Sequence, residues 1–444
     1  MGRARQIASA ENMDRILLDA SAASTDEGEH LLLDASAAST DVGFFINTEV
    51  GTTETPPEGF VIESSLASNA VTNTKVADDA ISVDKMDSIS QSLSNRNVII
   101  NGAMNVALRG TSTTGLGADA DTIPTCDRWF HSVQNTDGRF TMTQDSSAPS
   151  GFANSIKLAC TTADTSIAAG ENLILQQKIE GQNLQAFAKG TADAKPFAVS
   201  FYVKGNASAT YVVELYDNDY DGGNARQISK TFSVTTDWTR VELSYPADTT
   251  GALDDDNANS LDLNIWLHAG SNRTSGSLQT TWGALAQANR CVGISSFFSS
   301  TDNTFFLTGV QLEVGQNATE FEHEPFERTL TKCQRYYQRI ETNDGAPNYN
   351  GHVNAAAGSV MVVPFIHQMR VPPTGITVTN VGSWGHVIYS DANVAANSIL
   401  FGQASSKQIQ LDVNSASGSF SVGESISLYD AGADGVIEFT GAEL

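Results

Sequence analysis

Leu261-Asp-Leu-Asn-Ile-Trp-Leu-His268 places an apolar residue at every second position. An extended chain sends alternate side chains to opposite faces, whereas a helix would scatter them at a period of 3.6. Leu261, Leu263, Ile265 and Leu267 therefore face one way, and Asp262, Asn264, Trp266 and His268 the other. The stretch is a strand with one face in a core and a second face of different chemistry.

Similar stretches lie on both sides. Phe197–Lys204, Tyr211–Tyr216, Lys230–Val234, Thr239–Tyr245, Val292–Phe298 and Phe305–Val314 are rich in β-branched and aromatic residues, with Gly, Asn and Asp between them. Asn97–Ile100, Asn154–Ala159 and Asn172–Gln177 add further strands upstream. Many short antiparallel strands over residues 97–325 predict a jelly-roll β-sandwich. Residues 326–444 follow. They open on a helix spanning Pro325–Arg339, with Pro325 suited to the first turn and Phe326, Leu330, Cys333 and Tyr337 on one stripe. Strands at Ser359–Ile366, Gly375–Val381, Gly385–Tyr389, Gln408–Val413 and Gly435–Phe439 then predict a smaller C-terminal β-sandwich. The chain is expected to be all-β.

Residues 1–96 follow other rules. Leu17–Asp26 reads LLDASAASTD and recurs unchanged at Leu32–Asp41. Each copy suits one strand and one loop, too little to form a core alone. Residues 1–50 are thus expected to dock on further copies or on a partner, unless the duplication marks a flexible polar tail. In residues 51–96, Leu66, Val71, Val76, Ile81 and Met86 recur at every fifth position. That spacing fits neither helix nor strand. One apolar residue in five cannot offset the ordering entropy of a single chain. Three chains wound on a shared axis could bury those residues, giving a trimeric shaft; the alternative is a disordered linker.

The chain has 444 residues, with 51 Asp and Glu against 25 Lys and Arg and a net charge of −26. Such a charge disfavours nucleic-acid backbones and anionic lipid surfaces. No apolar run is long enough to cross a membrane as a helix. Cys126, Cys160, Cys291 and Cys333 lie far apart without CxxC spacing, so free, partly buried thiols are expected.

Asn97-Val-Ile-Ile-Asn-Gly-Ala-Met-Asn-Val-Ala-Leu-Arg-Gly110 is similar to the opening of a module found in the tail fibres and related virion proteins of bacteriophages. CDRWF at Cys126–Phe130, LQQKIEG at Leu175–Gly181, FAVSFYVKG at Phe197–Gly205 and TDWTRVELSY at Thr236–Tyr245 fit the same module. Its closing part is Gly309-Val-Gln-Leu-Glu-Val-Gly315, with Ala318–His323 and Cys333-Gln-Arg-Tyr-Tyr337. The module is similar in layout to jelly-roll carbohydrate-binding modules. AVTNTKVADDAIS, from Ala70, resembles fibre-shaft repeats, and the duplicated decapeptide resembles N-terminal segments of marine phage proteins. The resemblance covers roughly residues 15–340. It implies a non-enzymatic structural protein on the virion surface, assembled in the host cytoplasm. The form it implies is a homotrimeric tail fibre that joins other virion proteins through its N-terminal segment and meets a host cell-surface glycan. A head-surface fibre or capsid decoration protein is the alternative, and a glycan-degrading tailspike is a second.

The residues offer little for catalysis. His30, His131, His268, His323, His352, His367 and His386 have no HExxH-type spacing, and neither GxSxG nor a P-loop is present. A glycosidase needs two carboxylates flanking a cleft, and no pair is marked here. No cofactor is implied, apart from a structural calcium ion. Asp217-Asn-Asp219-Tyr-Asp221-Gly222 matches the first half of a calcium loop, although Ile228 stands where the twelfth-position Glu belongs. The alternative is an acidic hairpin turn, where Asp and Gly are favoured in any case. For a glycan, the polar face of 261–268 is the candidate, with Trp266, Tyr202 and Tyr216 as platforms and Asn264, Glu214 and His268 as polar readers. The competing expectation is that Trp266 lies beneath a loop or a neighbouring subunit. Trp384 and Tyr389 in the last domain are a second candidate platform.

Overall fold

The computed structural model describes residues 95–119, 121–219, 225–341, 349–388, 393–415, 420–430 and 434–444. Leu66, Val71, Val76, Ile81, Met86 and the duplicated decapeptide lie outside the described residues. So do Asp221 and Tyr389.

The larger domain is an antiparallel sandwich. Its strands are β1 Ser112–Leu116, β2 Asp121–Thr122, β3 Phe130–Gln134, β4 Arg139–Asp145, β5 Ser155–Thr162, β6 Asn172–Glu180 and β7 Phe197–Gly205. They continue with β8 Ala209–Asp217, β9 Arg226–Val234, β10 Thr239–Tyr245, β11 Asn259–Ala269, β12 Gly283–Ala284 and β13 Thr304–Val314. One six-stranded sheet runs β1-β4-β5-β13-β7-β10, and a seven-stranded sheet runs β12-β9-β8-β11-β6-β3-β2. The chain passes repeatedly between the sheets, as a jelly roll does. Leu261, Leu263, Ile265 and Leu267 point inward and meet Phe197, Phe201 and Leu312 from the other sheet in one core. Phe187 stacks on Phe197 with ring centroids 4.1 Å apart.

Two expected strands take other forms. Residues 97–100 are irregular, although the Val98 amide donates to the Leu312 carbonyl at 3.0 Å. Their neighbours explain it. Asn101 and Met104 have positive φ, and a Cβ on Gly102 would lie 2.1 Å from the Val310 carbonyl oxygen. The segment is a tight fold pressed against β13, where only glycine fits at 102. Residues 292–298 form a loop ending in a short helical turn at Phe297–Ser299, with Phe297 and Phe298 buried.

A short helix α1, Ser271–Thr274, follows β11, and α2, Phe326–Gln334, follows the sandwich. The expected helix is shorter at both ends: Pro325 stands at the N-cap just outside α2, and the helix stops at Gln334. Arg335, Tyr336 and Tyr337 leave it to join a seam with the sandwich. Glu180 accepts from Arg335 Nε and Nη2, each at 2.8 Å, and from the Tyr336 hydroxyl. The Arg128 guanidinium covers the Tyr336 ring at 3.6 Å, and Arg109 covers Tyr337 at 3.7 Å. Both arginines also pair with Glu443. The CDRWF and CQRYY motifs therefore meet as one structural joint.

After α2 come β14 Arg339–Glu341, β15 Tyr349–Ala355, β16 Gly358–Pro364, β17 Gly375–Thr379 and β18 Trp384–Ile388. The last four are β19 Asn393–Ala404, β20 Gln408–Ser415, β21 Ser425–Asp430 and β22 Val436–Thr440. The smaller sandwich expected here takes the form of a closed barrel, β15-β16-β20-β19-β18-β21, beside a three-stranded sheet, β14-β22-β17. Closure leaves none of the barrel strands with an unpaired edge. The four cysteines are free and buried.

Candidate functional site

The outer face of the seven-stranded sheet holds a row of aligned side chains. Gln176 on β6 pairs across to Asn264 on β11, and Asn264 pairs to Glu214 on β8. One rung along, Lys178, Asp262 and Tyr216 align in the same way. A rung in the other direction carries Ile174, Trp266 and Val212. All of these except the buried Glu214 and Val212 line an open cleft, with Ser132, Gln134, Asn172, Asn259, Arg273 and Arg290.

The cleft is not flat because the segment after β11 folds back over the sheet. Cys291, Leu278 and Ile294 pack on Ile174, Val212 and Trp266 in a small second core. Trp266 is consequently only 1% exposed. Its ring lies under the Arg290 guanidinium at 4.8 Å, and its Nε1 donates to Glu214 Oε2 at 3.0 Å. It cannot serve as an exposed platform, and the loop-covered alternative holds.

Glu214 has a similar buried role. Its carboxylate accepts from Arg290 Nε at 2.8 Å and Nη2 at 2.7 Å, as well as from Asn264 Nδ2 at 3.0 Å. Burial alone would lower the Arg290 pKa, but Glu214 raises it above the ordinary value. His268 is also fully buried, between Glu171 Oε2 at 2.9 Å and Ser296 Oγ at 2.8 Å. Burial keeps its pKa below the ordinary value despite Glu171. Glu214 and His268 support the fold beneath the cleft and do not line it.

Tyr202 lies elsewhere. It sits on β7 in the six-stranded sheet, against the Phe152 ring at 5.4 Å. Phe152 also touches Phe321 and His323. Gly309, at φ 62°, makes this cluster possible, since a Cβ there would lie 2.7 Å from Phe152. Alternation along a strand cannot say which sheet the strand joins, so Tyr202 and Tyr216 were grouped on an insufficient signal. Trp384 is buried at 0% exposure in the C-terminal core and offers no platform either.

Of the expected set, Tyr216, Asn264 and Trp266 line the cleft, and Tyr216 is the half-exposed aromatic among them. The Arg290 guanidinium lies 4.9 Å from its ring centre. Gln176, Lys178, Asp262, Arg273 and Arg290 complete the lining and were not singled out from the sequence. Asp262 accepts from Asn259 at 2.7 Å and from Gln176 at 3.0 Å. Burial pushes its carboxyl up to about 6, against the Asn259 hydrogen bond and the Lys178 charge. Four buried polar atoms of the lining have no partner among the described residues: Asn172 Oδ1, Asn259 Oδ1, Asn264 Oδ1 and Arg273 Nε. Leaving such a group unpaired costs about 1–3 kcal/mol, so the arrangement favours a ligand able to pair with them.

The calcium reading loses one ligand. Asp217 is committed to Lys189, and both side chains are buried to 1% exposure or less. A buried ammonium needs that carboxylate. Asp219 Oδ2 accepts from the Asp254 amide at 2.6 Å. Among the described residues, no group of three or more His, Cys, Asp or Glu could hold a metal.

No family model matches the chain, and no curated protein matches it. Solved structures resemble part of it. The enzymatically active domain of tailspike protein 4 from bacteriophage CBA120 is 13% identical at a TM-score of 0.26, covering 49% of this chain and 21% of that one. A family 30 carbohydrate-binding module is 13% identical at a TM-score of 0.27, covering 52% and 91%. A family 11 carbohydrate-binding module from Clostridium thermocellum, in complex with a mixed-linked tetrasaccharide, is 10% identical at 0.24, covering 48% and 98%. The chain thus spans about a fifth of the tailspike domain it matches. These likenesses are partial and concern the fold alone.

Proposed function

We propose that this chain is a non-enzymatic bacteriophage fibre protein, assembled as a homotrimer on the virion surface, whose sandwich binds a host-surface glycan. The carrying observation is the cleft: a half-exposed tyrosine beside amide, carboxylate and guanidinium groups, with four buried polar atoms that have no partner among the described residues. A sugar offers apolar C–H faces to an aromatic ring and hydroxyls to the polar groups around it. Binding rather than cleavage is supported by the cleft's inner carboxylates. Glu214 is committed to Arg290, Asn264 and Trp266, and Asp262 to Asn259 and Gln176.

Host polysaccharide titrated into the protein should bind, and Tyr216→Ala with Gln176→Ala should weaken it at least about tenfold, the equivalent of 1.4 kcal/mol. Release of oligosaccharides by the wild type would instead make the protein a tailspike. Unchanged affinity in the double variant would move the site off this cleft.

The trimer is proposed from the pentad residues Leu66, Val71, Val76, Ile81 and Met86. Three copies would also strengthen a shallow site, since each later contact forms at high effective concentration. Val76→Asp would bring three like charges to one axis, and buried unpaired charge costs several kcal/mol per ion. Light scattering should find the wild type trimeric and this variant dissociated. An intact Val76→Asp trimer would show that the pentad segment does not drive assembly.

A further inference from the structure

We propose that the cleft selects an acidic saccharide, whose anionic group is received by Arg273. This rests on the glycan reading above and specifies its ligand. Acidic residues outnumber basic ones 51 to 25 in this chain, so an arginine has an ample choice of partners. The other cations of the cleft are engaged. Arg290 holds Glu214 through two hydrogen bonds, and Lys178 reaches the Leu444 carbonyl at 3.2 Å and the Phe130 ring at 4.8 Å. The Arg273 guanidinium has no hydrogen bond and no ion pair among the described residues, and its Nε is buried and unpaired.

Arg273 is also held in place. The Cys291 amide donates to its carbonyl at 3.1 Å, which ties α1 to the strand-covering loop. Gly270, just before α1, could not carry a Cβ, which would lie 1.9 Å from the Ala168 carbonyl oxygen. The guanidinium is therefore presented to the cleft from a fixed backbone. Burial, and then the like charge of Arg290, keep its pKa below the ordinary arginine value. The charge of an anion at this place offsets both. A guanidinium fork matches a carboxylate or phosphate through two parallel hydrogen bonds. The unpaired Oδ1 atoms of Asn172, Asn259 and Asn264 then face hydroxyl groups, beside Tyr216 in the cleft wall.

The test uses two matched pairs. Oligogalacturonates are compared with their methyl esters, and a phosphorylated oligomannoside with its dephosphorylated form, by calorimetric titration of the full chain. Wild type should prefer the charged member of at least one pair by about tenfold or more, and the preferred pair identifies the anion. Arg273→Gln should weaken binding of the charged member at least about tenfold more than binding of the neutral member, so that the preference is lost while the thermal midpoint stays the same. The Arg273 guanidinium has no hydrogen-bond partner to lose among the described residues, and its backbone bond to Cys291 is kept, so the variant is expected to fold. Equal binding of charged and neutral members would overturn the acidic assignment and leave the glycan cleft standing. Parallel loss of both members in Arg273→Gln would make the residue a general support and also overturn it. Binding of neither pair, with host polysaccharide also unbound, would overturn the cleft itself.

Discussion

Glu214→Ala should destabilise the sandwich by about 3–5 kcal/mol, the usual cost of removing one partner from a buried ion pair. The carboxylate is completely buried, and the Arg290 side chain it holds is only 11% exposed. Its loss also leaves Asn264 Nδ2 and Trp266 Nε1 without their acceptor. The folded-back loop would lose its main anchor to the sheet, because Arg290 connects the two. Urea denaturation of wild type and variant measures the effect through the midpoint at constant slope. A change below about 1 kcal/mol would mean that the ion pair is not the anchor. Trp266→Ala belongs with it, at about 3–5 kcal/mol for a buried aromatic. Any loss of host adsorption in that variant would therefore report a damaged fold, not a missing sugar platform.

The alternation in 261–268 was sufficient to place Leu261, Leu263, Ile265 and Leu267 in the core. It was also sufficient to place Asn264 and Trp266 on the opposite face, which became the cleft. It could not show that residues 271–294 return over that face, since this Ser, Gly, Thr and Ala-rich segment has no hydrophobic period to read. The tryptophan that looked like a platform became the floor for that reason. Arg273 and Arg290 lie in the same unpatterned segment. The available signal was weak: two arginines in a polar loop of a strongly acidic chain. The motifs at Asn97–Gly110, Cys126–Phe130 and Gly309–Gly315 are legible in another sense. They meet in the structure, where Asn97 Nδ2 donates to the Val310 carbonyl at 3.0 Å and the Trp129 Nε1 to the Asn101 carbonyl at 3.1 Å. Their residue choices record a folding constraint, and for that reason they did not point to the cleft.

The seam between the sandwich and α2 should open in acid, and Glu180→Gln should open it at neutral pH. Glu180 is completely buried, yet its pKa lies below the ordinary value. Burial raises it, and the hydrogen bonds from Arg335, Tyr336 and Gln182 together with the Arg335 charge more than reverse that. A carboxyl whose folded pKa is depressed adds stability above its unfolded pKa, about 4.3 for glutamate, and loses it as pH falls through the folded value. The contribution is therefore complete near neutrality, begins to fall below the unfolded value of about 4.3, and is gone once pH has passed through the depressed folded value. Hydrogen bonds to charged groups contribute about 1.5–3 kcal/mol each, discounted here because Arg335 is 32% exposed. A loss of about 2 kcal/mol on Glu180→Gln follows from that range. Arg370, bonded to the carbonyls of Asn257, Ala442 and Glu443, is a separate brace across the same seam and limits the effect. Calorimetry at pH 7 should resolve the sandwich and the C-terminal barrel as two transitions in the variant, where the wild type unfolds in one. Acidifying the wild type below the ordinary glutamate pKa and on through the depressed Glu180 value should produce the same separation, because protonation removes the same charge. A single transition in both cases would show that packing of Tyr336 and Tyr337 under Arg128 and Arg109 holds the domains together without the Glu180 carboxylate.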